Sequence, residues 1–254
     1  MLASSFVFLS GRYYEVFAVI HWVSPVMIMA MICIHARTKN LSEAPTIYLL
    51  SAASILTVTR SIWLVRTIYW NFKIGNKLPR ATMEKDGDVM IMFVTLPRRR
   101  DFKAGQHINI CIPSLGCFQW HPFALSSCEL VNENTIIRLL IKERNGFTAR
   151  LANIRNPDEE MVAFIDGPYG RRIELRTYGT VLLFASGIGI AGLLFYAQQT
   201  LEEYDEQRTS CRRILLFWET DDGPAYGGKI ESYLHILATH SVGTDTLELV
   251  QGLT

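Results

Sequence analysis

Apolar positions are concentrated at the start of the chain, in two long runs. The first run, residues 14–35, contains one charged side chain, Glu15. A stretch of about twenty apolar residues is long enough to cross a bilayer as a helix. The second run, residues 46–69, is interrupted by Arg60 and is followed by several basic residues. The pattern predicts that residues 1–73 form a membrane part of two helices, with the rest of the chain in the cytosol.

The remaining residues alternate short apolar runs with turn residues, and then the periodicity changes. Between residues 78 and 175 the runs are separated by Gly, Pro, Asn and Asp, which predicts an antiparallel β-sandwich or β-barrel, of which we expect the antiparallel β-barrel. Residues 176–254 instead alternate continuous apolar segments, which are typical of parallel strands buried on both faces, with helical patterns. They predict a β-α-β-α-β order, which is part of a parallel, Rossmann-like α/β domain. Its predicted strands are 180–185, 213–218 and 246–250, and its predicted helices are 193–204 and 229–240.

Composition narrows the possible partners. The formal net charge of the 254 residues is +1, so no strong positive field favours nucleic acid. The hydrophobic share is 49%, and its excess before residue 70 favours membrane lipid as a partner. The five cysteines are odd in number and include no CxxC pair, which argues against a disulfide framework or a zinc site.

Two histidines lie in the first apolar run. His21 and His35 are 14 residues apart, close to a whole number of helical turns, so both rings are expected on one face. Their separation along a helix is roughly 21 Å. Such a helix can give one imidazole to each of two haem irons stacked across a bilayer. The alternative is a hydrogen-bonded, buried His21 and an interfacial His35.

A glycine-rich turn joins the first predicted strand of the α/β part to its helix. In this setting glycines allow a tight turn and a close approach of the backbone to a pyrophosphate at the helix amino terminus. The alternative is an ordinary strand-to-helix turn. The glycines concerned are Gly187, Gly189 and Gly192.

Acidic residues follow the second predicted strand. Glu219, Asp221 and Asp222 occupy the region where an acid favours a free ribose hydroxyl over a 2′-phosphate. This chemistry favours NADH. The alternative is that the three carboxylates belong to a solvated loop.

One segment of the predicted barrel resembles the His-Pro-Phe-Thr flavin motif of ferric-chelate reductases and NADPH oxidases. In that family the segment lies along the flavin, where Phe123 would pack on the ring and His121, Ser126 and Ser127 would donate hydrogen bonds. Ala124 stands where the family usually has threonine, so one hydroxyl contact to the flavin is missing. The full segment is His121, Pro122, Phe123, Ala124, Leu125, Ser126 and Ser127.

Three further segments resemble the same family and follow in its order. The second flavin segment, which meets the FAD pyrophosphate, corresponds to Lys142, Gly146, Phe147 and Thr148. The element that joins the flavin and nicotinamide domains corresponds to Gly167, Pro168, Tyr169 and Gly170. Residues 186–192 resemble the family's pyrophosphate loop. The resemblance implies a ferredoxin-reductase type of fold that binds FAD and NADPH, with NADH not excluded.

The membrane part is also similar to this family, and most of all to fungal ferric reductases. Residues 12–17, with His21 and His35, look like the helix that carries one ligand to each of two b-type haems. Arg60 and Arg66 resemble basic residues near the inner haem. The partner histidines of the family lie on an earlier helix, and a Cys-Gly motif ends its nicotinamide domain. The chain is therefore expected to be truncated at both ends and to lack membrane helices that supply the second haem ligands.

The resemblance implies a reaction with no nucleophilic side chain. Electrons would pass from NADPH through FAD and haem b to a ferric chelate outside the plasma membrane, for iron uptake, with both nucleotide-binding domains cytosolic. One alternative is an NADPH oxidase that gives the electrons to oxygen and forms superoxide. Another is an inactive, truncated fragment that binds FAD.

Overall fold

The computed structural model describes residues 14–36, 43–75, 77–116, 119–131, 134–154, 160–219 and 247–251. The chain divides into two compact units, Met1–Tyr69 and Trp70–Thr254.

The described residues of the first unit form two helices, α1 (Tyr14–Ala36) and α2 (Ala44–Asn71), and the last two residues of α2 belong to the second unit. Hydroxyl groups in α2 donate to carbonyls of the preceding turn, for example Ser51 Oγ to the Ile47 oxygen at 2.8 Å. Such bonds let polar side chains sit in an apolar helix without unmet donors.

Of the two predicted membrane spans, the second is long and apolar enough to cross a bilayer and the first is not. Among the described residues, α2 alone is long and apolar enough to cross a bilayer, whereas the apolar segment within α1, Val23–His35, is shorter. A segment of that length rises only roughly 20 Å, and the hydrocarbon core is about 30 Å thick. Helix α1 also contains Pro25, which lacks the N–H that would bond the carbonyl of His21.

The flavin-motif region forms two antiparallel sheets rather than the closed barrel that the sequence predicted. Their orders are β5-β6-β2-β1-β7 and β4-β3-β8, and no ladder joins the two sheets among the described residues. The chain passes from one sheet to the other at residues 125–126 and at Ala163. The elements are β1 (Arg80–Asp86), β2 (Val89–Leu96), β3 (His107–Cys111), β4 (His121–Ala124), β5 (Ser127–Val131), β6 (Asn134–Lys142), α3 (Phe147–Ala152), β7 (Met161–Val162) and β8 (Phe164–Tyr169).

Strand β2 is buried on both faces, which explains its continuous apolar sequence. One face, with Met90 and Met92, packs in the core between the two antiparallel sheets. The other face, with Val89 and Ile91, packs in a second core together with Leu194. This second core seats the α/β part of the chain directly on the five-stranded sheet.

The α/β part is a parallel sheet in the order β11-β10-β9. Its elements are β9 (Thr180–Ser186), a 3-10 turn (Gly187–Ile190), α4 (Ala191–Asp205), β10 (Arg213–Glu219) and β11 (Leu247–Gln251). Strand β9, expected to be wholly buried, alternates instead: Val181 and Leu183 are buried, whereas Leu182 and Phe184 are 52% and 68% exposed. The core that includes α4 takes in only the Val181 and Leu183 side of the strand. The predicted helix 229–240, Asp221 and Asp222 lie outside the described residues.

Candidate functional site

The segment that resembles a flavin motif spans a corner between the two antiparallel sheets. Residues His121–Ala124 form β4, which pairs with β3 and places Ala124 opposite His107. The next three residues turn into β5 and are fully buried. Within this turn the Ser126 Oγ atom is buried and makes no hydrogen bond to the described residues. A buried hydroxyl without a partner is costly, so this donor suits an atom that the protein itself does not supply.

The second flavin segment lies against the first through its aromatic ring. Phe147, the first residue of α3, stacks on the His121 ring, with centroids 4.1 Å apart and an interplanar angle of 19°. The Phe123 ring is tilted to the same phenylalanine at 6.3 Å. Gly146 is exposed at the start of α3, and the hydroxyl of Thr148 accepts the Arg144 N–H at 2.9 Å. Two segments that resemble flavin contacts therefore meet at one place.

Lys142 is the last residue of β6 and is partly buried. It precedes the turn that leads into α3, so it is carried on the same connection as Gly146 and Thr148. A cation and exposed backbone near a turn suit a pyrophosphate.

The Gly-Pro-Tyr-Gly segment ends β8 and packs closely on the loop before β3. A Cβ atom at Gly170 would lie 2.9 Å from the Gly105 carbonyl oxygen, and the φ of Gly170 is +94°, so a side chain there is excluded on both grounds. The Tyr169 hydroxyl donates to Asp166 Oδ2 at 2.6 Å. Arg100 donates to the Gly167 carbonyl, while Pro168 lies between the two contacts. The segment is thus fixed by both its backbone and its side chains.

The glycine-rich turn occupies the carboxyl end of β9. The buried Trp218 indole, on the neighbouring strand β10, donates to the Gly187 carbonyl at 2.9 Å and so fixes the start of the turn. A Cβ atom at Gly189 would meet nothing within 4 Å, and this glycine is exposed. The space next to the Gly189 Cα atom is therefore open, as is needed for a pyrophosphate to approach the backbone closely.

The glycine-rich turn and the flavin-like segment are neighbours in space. A Cβ atom built on Gly192 would lie 3.8 Å from the Cβ of Ala124. Glu219, at the end of β10, is in register with Ser186 at the end of β9. The carboxyl ends of parallel strands are where nucleotides bind in α/β sheets, so Glu219 stands at the expected ribose edge.

Sequence reasoning missed the side chains that seat α4 on the antiparallel sheets. Gln199 accepts the Ala104 N–H at 3.0 Å, and the Tyr196 hydroxyl accepts the Ile173 N–H at 3.2 Å. Glu203 pairs with Arg172, and both side chains are largely buried. The three α4 residues share one helix face, because they are spaced by three and four. That spacing was visible in the sequence, but their partners were not.

One ionisable group near the site has a shifted pKa. Burial raises the pKa of the Cys128 thiol on β5 to about 11. The thiol therefore stays protonated at neutral pH and is a poor nucleophile. This fits a site in which bound cofactors supply the chemistry.

The two candidate haem ligands lie on α1. His21 and His35 are both exposed along that helix. All other histidines of the chain follow residue 100, in the second unit. The exposed rings suit ligands to a group outside the helix, and a second axial ligand would come from a different helix.

Comparison with known proteins defines first the type of domain. Residues 76–173 match a family described as FAD-binding domain. A solved ferredoxin reductase of carbazole 1,9a-dioxygenase superposes with a TM-score of 0.51 at 17% identity, covering 68% of this chain and 48% of that chain. The second unit therefore contains a ferredoxin-reductase type of FAD-binding fold with antiparallel sheets.

Named relatives are similar to the chain over most of its length. The chain is 25% identical over 250 residues to ferric reductase transmembrane component 1 of Schizosaccharomyces pombe, covering 80% of this chain and 42% of that protein. It is 22% identical to a superoxide-generating NADPH oxidase heavy chain of Dictyostelium discoideum, covering 81% and 32%. The resemblance drawn from the motifs is confirmed at this level: residues 76–173 match an FAD-binding domain, and relatives named as ferric reductases and NADPH oxidases are 22% to 28% identical over most of the chain. It spans 25% to 42% of the length of curated ferric reductases that it matches.

Proposed function

We propose that the chain is the electron-input part of a membrane oxidoreductase that takes electrons from NADPH and delivers them, by way of FAD and haem b, to ferric chelates. The observation that carries the proposal is the approach of Gly192 to Ala124. It brings a turn suited to a pyrophosphate beside a segment suited to a flavin. Proximity of two cofactor sites is the main requirement of such a reaction, because the cofactors carry the chemistry.

The residues present fit FAD. Phe123 and His121, which stacks on the buried Phe147, offer aromatic surface, and Ser126 has an unmet buried hydroxyl. Lys142 and the backbone from Gly146 to Thr148 suit the pyrophosphate. When bound, FAD accepts a pair of electrons and releases them singly. The protein's part is to hold the ring, neutralise the pyrophosphate and exclude water.

The nucleotide would lie over the glycine-rich turn. The open space at Gly189 admits its pyrophosphate, and Gly167, Pro168, Tyr169 and Gly170 connect the two binding regions. Glu219 lies where an acid favours a free ribose hydroxyl, so NADH is tested beside NADPH.

The first experiment tests the two cofactor sites on the full chain expressed in membranes. FAD binding and anaerobic loss of the oxidised-flavin absorbance are measured with NADPH and with NADH. Gly189→Val is expected to slow flavin reduction at least tenfold while FAD stays bound. Gly179→Val is the matched control, because a Cβ atom at Gly179 also meets nothing within 4 Å. Equal reduction in both variants would contradict a nucleotide site at this turn.

The second experiment tests the acceptor. Ferric-chelate reduction is measured with and without superoxide dismutase in the same membranes. We expect iron reduction that the dismutase leaves unchanged. Superoxide production without direct iron reduction would favour the oxidase, which the similarity to the Dictyostelium protein supports. FAD binding with no reduction by either nucleotide would favour an inactive FAD-binding fragment.

The third experiment tests haem ligation by His21 and His35. A reduced-minus-oxidised spectrum is recorded for the chain alone and together with a full-length relative. We expect stable haem only when another helix supplies the second histidine, and loss of it in His21→Ala and His35→Ala. Two bis-histidine haems on the chain alone would contradict the proposed ligand set.

The cytosolic position of the second unit is tested with a reagent that does not cross the plasma membrane. Labelling of this unit is compared between intact and permeabilised cells.

A further inference from the structure

A basic and apolar patch follows directly on α2. We call it the juxtamembrane patch; it consists of residues 72–75, Lys77 and the loop 97–100 between β2 and β3. Phe72 is 47% exposed and Ile74 is completely exposed, although both are large and apolar. Basic residues surround them in the sequence: Lys73, Lys77, Arg98, Arg99 and Arg100. Of these, Arg100 also donates to the Gly167 carbonyl of the Gly-Pro-Tyr-Gly segment, whereas the flavin and nucleotide sites proposed above use none of the other four.

Specific contacts hold the arginine loop beside the end of α2. The Arg98 Nε atom donates to the Phe72 carbonyl at 3.1 Å. The Arg100 guanidinium lies 4.1 Å from the centroid of the Trp70 ring. Two segments that are more than twenty residues apart in sequence thus form one surface. Arg99 lies between these two anchored arginines in the sequence, so its guanidinium belongs to the same surface.

Three of the basic side chains of this patch lie away from the described carboxylates. No described Asp or Glu lies within ion-pair distance of Lys73, Lys77 or Arg99, and the nearby Asp101 pairs with Lys103 at 2.7 Å. Lys77 and Arg99 are exposed. The patch therefore presents several cations together with two exposed apolar side chains, a combination suited to the boundary between an anionic lipid surface and water.

The chain itself limits how far this patch can lie from the end of α2. Ile74 is three residues after Asn71, so it lies within about 10 Å of the end of the helix even if the chain is extended. Trp70 and Tyr69 close the helix, and aromatic residues are enriched at membrane interfaces. If α2 spans a bilayer, the patch is at the level of the headgroups.

We propose that the juxtamembrane patch binds the headgroups of anionic phospholipids in the cytosolic leaflet. Lys73, Lys77 and Arg99 would contact the phosphate and carboxylate groups, and Ile74 would enter the upper acyl region. The inference rests on the membrane part of the proposed function, and on no property of the flavin, nucleotide or haem sites. Its ligand class is an anionic lipid rather than a soluble anion.

The experiment uses the full chain in nanodiscs that contain phosphatidylcholine and a minor share of phosphatidylserine. Lipids bound after mild detergent extraction are counted by native mass spectrometry. We expect enrichment of phosphatidylserine that falls with salt and drops roughly fivefold for each charge removed. The test variant carries Lys73→Gln, Lys77→Gln and Arg99→Gln. The control carries Lys85→Gln, Arg208→Gln and Arg213→Gln, which remove three exposed charges elsewhere.

The outcomes distinguish failure of the lipid-binding proposal from failure of the proposed function. Equal enrichment in the test and control variants would overturn the proposal, and so would displacement of the lipid by millimolar inorganic phosphate. Ile74→Ser is expected to reduce enrichment, whereas Ile173→Ser, at another exposed isoleucine, is expected to leave it unchanged. Thermal unfolding of each variant checks that the fold is intact. A chain that does not enter nanodiscs at all would refute the membrane part of the proposed function instead.

Discussion

The ring of Phe147 lies against the ring of His121, with their centroids 4.1 Å apart, and this contact joins two segments that are far apart in sequence. Phe147 is itself buried, so it forms a fixed platform for the more exposed imidazole. The stack positions His121 beside Phe123, the expected flavin contact. A rigid platform of this kind lowers the cost of ordering a binding site when the ligand arrives.

Replacement of the platform tests its role in flavin binding. Phe147→Leu is expected to weaken FAD binding several-fold, because a leucine cannot stack on His121, while costing only about 1 kcal/mol of stability. Phe102→Leu is the matched control, since Phe102 is equally buried in the same core. FAD titration and thermal unfolding measure the two effects. An equal loss of FAD affinity in both variants would show that the effect is general loosening of the core.

Ala124 offers a gain-of-function test. Ala124→Thr would restore the hydroxyl that the homologous flavin motif usually carries at this exposed position of β4. One added hydrogen bond of about 1 kcal/mol predicts FAD binding that is roughly fivefold tighter. Ala124→Val is the control, because valine has the same shape without the hydroxyl. If valine tightens binding as much as threonine, packing rather than hydrogen bonding is responsible.

The pair formed by Arg172 and Glu203 tests how α4 is seated. Glu203→Gln leaves the largely buried Arg172 with only the exposed Glu174 carboxylate, 3.9 Å from its Nε atom, as a countercharge. We expect a loss of about 1–3 kcal/mol in the free energy of unfolding. Trypsin should also cut faster at Arg171 and Arg176, in the connection between the antiparallel sheets and β9. Glu202→Gln makes the same change one residue earlier on an exposed face and should alter neither measurement.

Local features of the fold were predictable, but side-chain pairing across the chain was not. Strand β9 and helix α4 were predicted within two residues of their ends, because periodicity is a local property. The contact of Gln199 with Ala104 spans 95 residues, and nothing in either neighbourhood specifies it. The closed barrel was wrong for a similar reason: ladder closure depends on which edges meet, and the turn at Ser126 takes the chain to another sheet.

The burial of particular side chains could also not be predicted from the sequence. The apolar run of β9 predicted a strand covered on both faces, but Phe184 remains exposed and stacks on Phe217 at 4.8 Å. Composition alone cannot tell which face of a sheet will be covered. The flavin motif was recognisable because its residue order is specific, whereas its platform at Phe147 required the structure.

The raised pKa of Cys128 predicts how stability changes in alkaline solution. The folded thiol holds its proton up to a pKa of about 11, whereas the unfolded thiol loses it near 9.0. The resulting stability is fully present below pH 9 and is lost as the pH rises from 9 to 11. Its size is at most about 2–3 kcal/mol. Chemical unfolding of Cys128→Ala at a series of pH values should show a shallower alkaline decline than the parent chain; identical slopes would contradict the assignment.

Asn71 connects the end of α2 to the flavin-binding fold. Its amide nitrogen donates to the Ile165 carbonyl at 2.7 Å, and its amide oxygen accepts the Ile165 N–H at 2.7 Å. Both bonds are buried, and the side-chain amide pairs with the two backbone groups of Ile165 in β8 as a neighbouring strand would. Asn71→Ala is expected to cost about 2–4 kcal/mol, because it leaves two backbone groups of Ile165 without partners.

Asn71→Asp separates hydrogen bonding from simple loss of volume. At neutral pH a carboxylate still accepts the Ile165 N–H but cannot donate to its carbonyl, so the variant should be clearly less stable than the parent. Protonation restores the donor, and the difference in unfolding free energy from the parent should therefore shrink as the pH falls. Asn153→Ala is the control, since its exposed amide bonds only the Ala149 carbonyl of its own turn. Equal losses at Asn71 and Asn153, measured by chemical unfolding, would contradict a connecting role for Asn71.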